Sequence, residues 1–505
     1  MTTTLPSTIK EVVKLLSLGY TTPNEICKQC IKRMKSLNEL NAFITETHDV
    51  ALRQAEISTR RITTSAKKPV GLLDGIPIAI KDNFNSYGIQ TTCASRMLAG
   101  YIPPYNATVV NKLLDAGAVI VGKTNMDEFA MGCGSTDSYY GPVRNPWLYS
   151  RGENNQSADW RVAGGSSGGS AVAVATGMCF ASIGSDTGGS TRLPAALCGV
   201  VGLKPSYGLV SRHGLIPLVN SLDVPGIFAQ CVDDAAIILN TIAGHDHLDS
   251  TTVSDTFKNI ELPDEIDISK FHIGIPKEYH VAGLSKDVLN AWRRAADQFE
   301  NAGARVSEVS LPHTEYALPC YSVLSTCEIA SNMARFDGIE YGHRADVSDS
   351  TDALYAASRH EAFNEVIRGR ILAGNYFLLK ANYEKYFMHA MKIRKLISED
   401  FKNAFNSGIN VLLTPTSLDE ATIYKDFISK DSRTQTAELD VFTQAANLSG
   451  IPAISVPTCL SSNSLPVGLQ LMGPLYKEKH LLTAAKWLEQ QANAPRLNIS
   501  EQFGL

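Results

Sequence analysis

A chain of 505 residues, 44% hydrophobic and 19% charged, has ordinary globular composition and enough length for an extensive core. Its formal net charge of −5 excludes a sequence-wide basic surface for nucleic acid. No stretch of 18 uninterrupted apolar residues occurs, so no membrane span is expected.

Residues 1–64 read as a helical segment. Ser7 is the expected N-cap of a helix through Leu18, with Ile9, Val12, Val13, Leu15 and Leu16 on its apolar face. Thr22-Pro-Asn-Glu25 opens a second helix with proline in its first turn, and a third runs from Ala51 towards Lys68. Cys27-Lys-Gln-Cys30 falls within the second helix and has no second pair, so it reads as structural. The ten cysteines lack framework spacing, and several sit in apolar segments, which suits reduced thiols in an intracellular compartment.

From Pro69 onward, strands and helices alternate. This predicts a single large α/β domain over 65–505, with a mixed central sheet flanked by helices on both faces. Gly71-Leu-Leu-Asp-Gly-Ile-Pro-Ile-Ala-Ile-Lys81 reads as a buried strand ending on a lysine, which is costly unless paired or neutral. The polar stretch around 148–161 reads as a surface insertion.

The region from Ala163 to Pro205 is the most unusual. Eleven glycines fall between Gly164 and Gly208, in two serine-rich loops separated by Ala171-Val-Ala-Val-Ala and the apolar run Met178–Ile183. Paired glycines let backbone N–H groups and hydroxyls approach a bound group closely. The predicted order is loop, helix, strand, loop, with both loops at one end of the sheet. Further on, His245-Asp-His247 lacks a third ligand at metal spacing and reads as a solvated turn. The segment 321–405 is predicted to be mostly helical, with Lys392-Ile-Arg-Lys395 on a solvated face. Val411–Pro415, Ala453–Pro457 and Leu465–Gly473 are late strands before a terminal helix.

Three pieces now stand together: Lys81 ending Gly-Ile-Pro-Ile-Ala-Ile-Lys-Asp, Ser166 in Gly-Gly-Ser-Ser-Gly-Gly-Ser, and Ser190 closing Asp-Thr-Gly-Gly-Ser, 24 residues further on. Over nearly its whole length the chain resembles the amidase signature family. The segments 200–217, 330–338 and 447–457 resemble, within that family, the glutaminase subunits of tRNA-dependent amidotransferases, the mitochondrial ones in particular.

The resemblance implies a Ser–cis-Ser–Lys triad. Ser190 is the nucleophile, Ser166, after a cis peptide bond, is the bridge, and neutral Lys81 is the base. The N–H groups of Asp186, Thr187, Gly188 and Gly189 are the implied oxyanion hole. Arg192 is expected to order the Asp186 loop, and Ser167 and Ser170 to hydrogen-bond the loops. By the same carry-over, Tyr321 and Arg370 face the α-carboxylate of glutamine and Asp440 its α-ammonium.

The resemblance further implies a glutaminase that passes ammonia to a B-type subunit, with a small C-type subunit completing a heterotrimer. ATP and Mg²⁺ would act in the partner. tRNA would be contacted mainly through that partner. No metal and no cofactor are expected in this chain. A matrix location rests on the resemblance alone, because no transit peptide is evident. Two rivals stay open: a stand-alone amidase with another substrate, and an inactive scaffold.

Overall fold

The computed structural model describes residues 5–64, 69–150, 159–255, 257–347 and 349–504. Their frame is a mixed sheet built from β1 (Phe43–Glu46), β2 (Pro77–Lys81), β3 (Val119–Thr124), β4 (Ala181–Asp186), β5 (Val201–Lys204), β6 (Val224–Ala229), β7 (His272–Pro276), β8 (Arg305–Val309), β9 (Val411–Pro415), β10 (Ala453–Leu460) and β11 (Pro466–Met472). Across the sheet the order is β1-β3-β2-β4-β6-β5-β10-β11-β9-β7-β8. β2 runs parallel to β3 and β4, and β7 parallel to β8 and β9; the remaining pairs are antiparallel.

The central strands are buried along their whole length, which is why their sequences read as near-continuous apolar runs. Side chains still alternate between two cores. Ile78 and Ile80 enter one with Ile183 and Leu203. Ala79 enters the other with Val119, Val121, Phe228 and Ala171 to Ala175 of the helix Gly168–Ala175. Lys81 is next in the alternation and shares the side of Ala79. Helices therefore cover both faces, as the alternating pattern predicted.

The N-terminal segment departs from a purely helical reading. Its first helix, Ile9–Ser17, is capped by Thr8 instead of Ser7: Thr8 Oγ1 accepts from Glu11 N, and the Glu11 carboxylate takes the N–H groups of Ser7 and Thr8. Thr22 and Glu25 form the same box for Pro23–Ser36. Between that helix and His48–Thr64 the chain contributes β1, which pairs antiparallel with β3. Ile9, Val12 and Leu16 pack into the same core as β2, and Ile9 N donates to Asp234 Oδ2 at 2.9 Å.

The predicted strand Met178–Ile183 begins three residues later, at Ala181. Of the insertion at 148–161, residues 151–158 lie outside the described ones. At its end, Trp160 stacks on Tyr424 with ring centroids 4.1 Å apart. In the helix His389–Asn406, Arg394 is not on a solvated face. It turns inward and donates to the carbonyls of Leu448 and Ser221, both at 2.9 Å. All ten cysteines are free thiols and nine are buried; burial pushes Cys27 up to about 12.

Candidate active site

The helix Gly168–Ala175 lies against the sheet so closely that a side chain on Gly169 would collide with the carbonyls of Asn125 and Ala42. This closeness brings the first serine loop onto the end of β2. Lys81 Nζ is fully buried there among three hydroxyls: Ser166 Oγ at 2.8 Å, Ser167 Oγ at 2.8 Å and Ser185 Oγ at 2.9 Å. Burial pushes its pKa down from 10.5 to about 7, against the opposing pull of Asp127, Asp186 and Asp223. At neutral pH a large fraction of this amine is thus unprotonated, with a lone pair directed into a cluster of serines.

The peptide bond Gly165–Ser166 is cis. Asp127 clasps this turn: its N–H donates to the Ser166 carbonyl, and its carboxylate accepts the N–H groups of Ser135, Thr136 and Asp137. Ser167 does more than brace a loop, since it touches Lys81 and also donates to the Ser185 carbonyl at 3.2 Å. Ser170 pairs with Thr124, the residue opposite Lys81 on β3, at 2.7 Å.

Ser190 ends the second loop and is 9% exposed, whereas Ser166 is fully buried. No hydrogen bond closes the leg from Ser166 to Ser190. Such links are commonly loose before substrate binds. The backbone N–H groups of Gly188 and Gly189 meet no acceptor among the described residues, so they are free to point at a ligand. Asp186, the last residue of β4, is paired with Val224, and its carboxylate is committed to Arg192 at 2.9 Å.

The loop is held from three sides. Thr187 Oγ1 donates to Asp223 Oδ1 at 2.7 Å, while Asp223 Oδ2 accepts the N–H groups of Leu218 and Val219. Thr443 Oγ1 donates to the Gly188 carbonyl at 2.6 Å. Asn447 Nδ2 donates to Asp186 Oδ1 at 2.9 Å. Gly189 has φ +147, and a Cβ there would fall on Thr443 Oγ1 and lie 3.1 Å from Asp440 Oδ1. Gly189→Ala is therefore expected to distort the loop and lower amide hydrolysis on the order of 10²-fold or more, read as kcat. A kcat within about twofold of the parent would refute it.

The residues expected to face the substrate converge on this loop. A side chain on Gly188 would meet the Tyr321 ring at 2.8 Å and its hydroxyl at 2.9 Å, so Tyr321 packs on one glycine and Asp440 on the next. Tyr321 and Arg370 line a shared cavity of about 630 Å³. Burial, reinforced by the like charge of Asp186, pushes the Asp440 carboxyl up to about 8; the Arg192 and Arg370 charges oppose this. Burial also keeps the Tyr321 phenol protonated. A cationic group arriving beside Asp440 would supply the counter-charge this carboxyl lacks. Among the described residues no group of three or more His, Cys, Asp or Glu side chains could hold a metal ion.

Sequence reading gave no role to Ser185, Asp127, Asp223, Thr443 and Asn447. Ser185 lies within the second serine-rich stretch, and the other four reach the site through long-range topology.

Comparison with known proteins supplies a second line of argument. The family model "Amidase" matches residues 25–482. The A subunit of the mitochondrial glutamyl-tRNA(Gln) amidotransferase of Xenopus laevis is 59% identical over 510 residues, covering 99% of this chain and 97% of the relative. The crystal structure of the corresponding A subunit of glutamyl-tRNA(Gln) amidotransferase from Thermotoga maritima superposes with a TM-score of 0.76 at 38% identity, covering 97% of this chain and 95% of that one. Peptide amidase from Stenotrophomonas maltophilia superposes with a TM-score of 0.78 at 28% identity, covering 97% and 98%.

Proposed function

Because the chain belongs to the amidase signature family, we propose that it is the glutaminase subunit of a glutamyl-tRNA(Gln) amidotransferase, hydrolysing glutamine through a glutamyl-serine ester. The observation that carries the choice of glutamine over other amides is the placing of Asp440 and Tyr321 against the two glycines before Ser190, with Arg370 in the cavity that Tyr321 lines. A carboxyl on one side and a guanidinium on the other suit the ammonium and carboxylate of an α-amino acid. An apolar amide would leave both groups without a partner.

In this reading neutral Lys81 accepts the proton of Ser166 Oγ, which takes that of Ser190 Oγ as the latter attacks the side-chain amide carbon. The N–H groups of Gly188 and Gly189, which have no acceptor of their own among the described residues, hold the oxyanion, and that of Asp186 stays in the sheet. The proton returns through the same relay to the departing nitrogen, so ammonia leaves and the acyl group stays on Ser190. Water, deprotonated by the relay, attacks the ester and releases glutamate, restoring both serines.

The full-length likeness to mitochondrial subunits supports the rest of the proposal. Ammonia passes to a B-type subunit, where ATP and Mg²⁺ activate the glutamate carried by tRNA(Gln); a C-type subunit completes the heterotrimer, and the complex works in the mitochondrial matrix. The tRNA is held mainly by the partner. No helix among the described residues is long and apolar enough to cross a membrane.

The deciding assay is ammonia release from glutamine by the chain alone and with its candidate partners. Partner-stimulated release that disappears on introducing Ser190→Ala is the expected result. Cleavage of apolar amides without glutamine turnover would instead make the chain a stand-alone amidase.

A further inference from the structure

Gln444 opens the helix Gln444–Ser449, directly after Thr443, which holds the Gly188 carbonyl, and four residues after Asp440. It is completely buried, yet neither its Oε1 nor its Nε2 has a hydrogen-bond partner among the described residues. Gln444 is among the residues around the cavity that Tyr321 and Arg370 line. Its polar neighbours on the same helix turn are engaged, Thr443 with Gly188 and Asn447 with Asp186. A buried amide with both ends unpaired is rare in folded proteins and calls for an explanation. Its position on the cavity wall gives one.

We infer that Gln444 is a further substrate-binding residue, reading the α-amino-acid end of glutamine together with Arg370 and Asp440. A primary amide offers two N–H donors and a carbonyl acceptor. An α-amino acid presents a carboxylate, which accepts, and an ammonium, which donates. One amide side chain can therefore meet both charged groups, Nε2 donating to the carboxylate and Oε1 accepting from the ammonium. An apolar residue at 444 would fill the same space and meet neither. This rests on the glutamine reading above, and the test separates the two.

The probe is glutamine, titrated calorimetrically into the complex that carries Ser190→Ala, so that binding is read without turnover. Adding Gln444→Met, of similar size and shape, is expected to raise Kd about 10- to 100-fold, the range for hydrogen bonds to charged groups. The ligand-free thermal midpoint should stay the same or rise, because the substitution removes an unpaired buried amide. Loss of affinity with no loss of stability separates a substrate contact from a packing role.

Glutamine's Kd should rise more than that of 4-carbamoylbutanoate, which lacks the α-ammonium. Gln444→Glu, which loses both donors, should also weaken glutamine binding should the methionine variant fold poorly. An unchanged Kd in Gln444→Met, or a weakening matched by a fall in the midpoint and equal for both ligands, overturns the assignment and leaves the glutamine reading intact. No glutamine binding to the Ser190→Ala parent overturns both.

Discussion

Glutamine hydrolysis by the Ser190→Ala chain is expected to fall on the order of 10⁶-fold, the scale seen when a nucleophile is removed from a catalytic unit. Lys81→Met should fall by a comparable factor, because the base and the nucleophile it serves act as one device. The double variant should then be little worse than either single one, and losses that multiply would show that the two residues do not share a relay. The lysine also predicts a pH dependence. Burial brings its pKa down to about 7, so below that pH Nζ is an ammonium that can only donate to Ser166, Ser167 and Ser185. Above it, a lone pair is free to accept a proton. The acid limb of kcat at saturating glutamine should therefore sit near pH 7, with the rate rising as pH rises, and it should vanish in Lys81→Met. An acid limb persisting unchanged in that variant would assign it to another group.

The second large effect falls on stability. Arg192 is fully buried and uses its whole guanidinium: Nε and one terminal nitrogen meet both oxygens of Asp186, and the rest reach Asn447 Oδ1, the Thr443 carbonyl and Gln470 Oε1. Arg192→Met is expected to cost about 3–5 kcal/mol, because it leaves the Asp186 carboxylate uncompensated in the core. Burial alone would push that carboxyl up, but the Arg192 charge outweighs it and holds the carboxyl at about 2.

The sign in the parent follows. Asp186 stabilises the fold fully above its unfolded pKa of about 3.9, and this contribution is lost as pH falls towards 2. Without Arg192 the folded pKa rises above the unfolded one, so the penalty grows as pH rises. Urea midpoints of parent and variant should diverge between pH 4 and pH 7. A constant gap would mean that the loss is packing and not charge.

Local pattern was enough to single out Lys81, Ser166 and Ser190 as candidates. Each lies where glycine, small residues and a buried strand end announce themselves within a dozen positions, and the α/β class followed from alternation. The strand Phe43–Glu46 escaped because four residues between two helices give no period to read. Met178–Phe180 were read as strand because an apolar run shows burial but not where pairing begins. Arg394 was read as solvated because a charge run carries no sign that one member turns inward to satisfy carbonyls. Gln444 is the instructive case. Nothing in Phe-Thr-Gln-Ala-Ala-Asn distinguishes a surface amide from one enclosed with no partner. Only folding, which brings 440–447 against 186–192, makes it exceptional.

The margins of the sheet bear on how the chain can meet other proteins. At one margin β8 exposes Arg305 and Glu308, charges that discourage an incoming strand. At the other, β1 is four residues long and its register against β3 shifts between Phe43 and Thr45. Neither rim offers a straight, uncharged ladder for another polypeptide to extend. Edges of this kind disfavour assembly by strand addition and leave side chains on helices and loops as the surface that a partner protein would read.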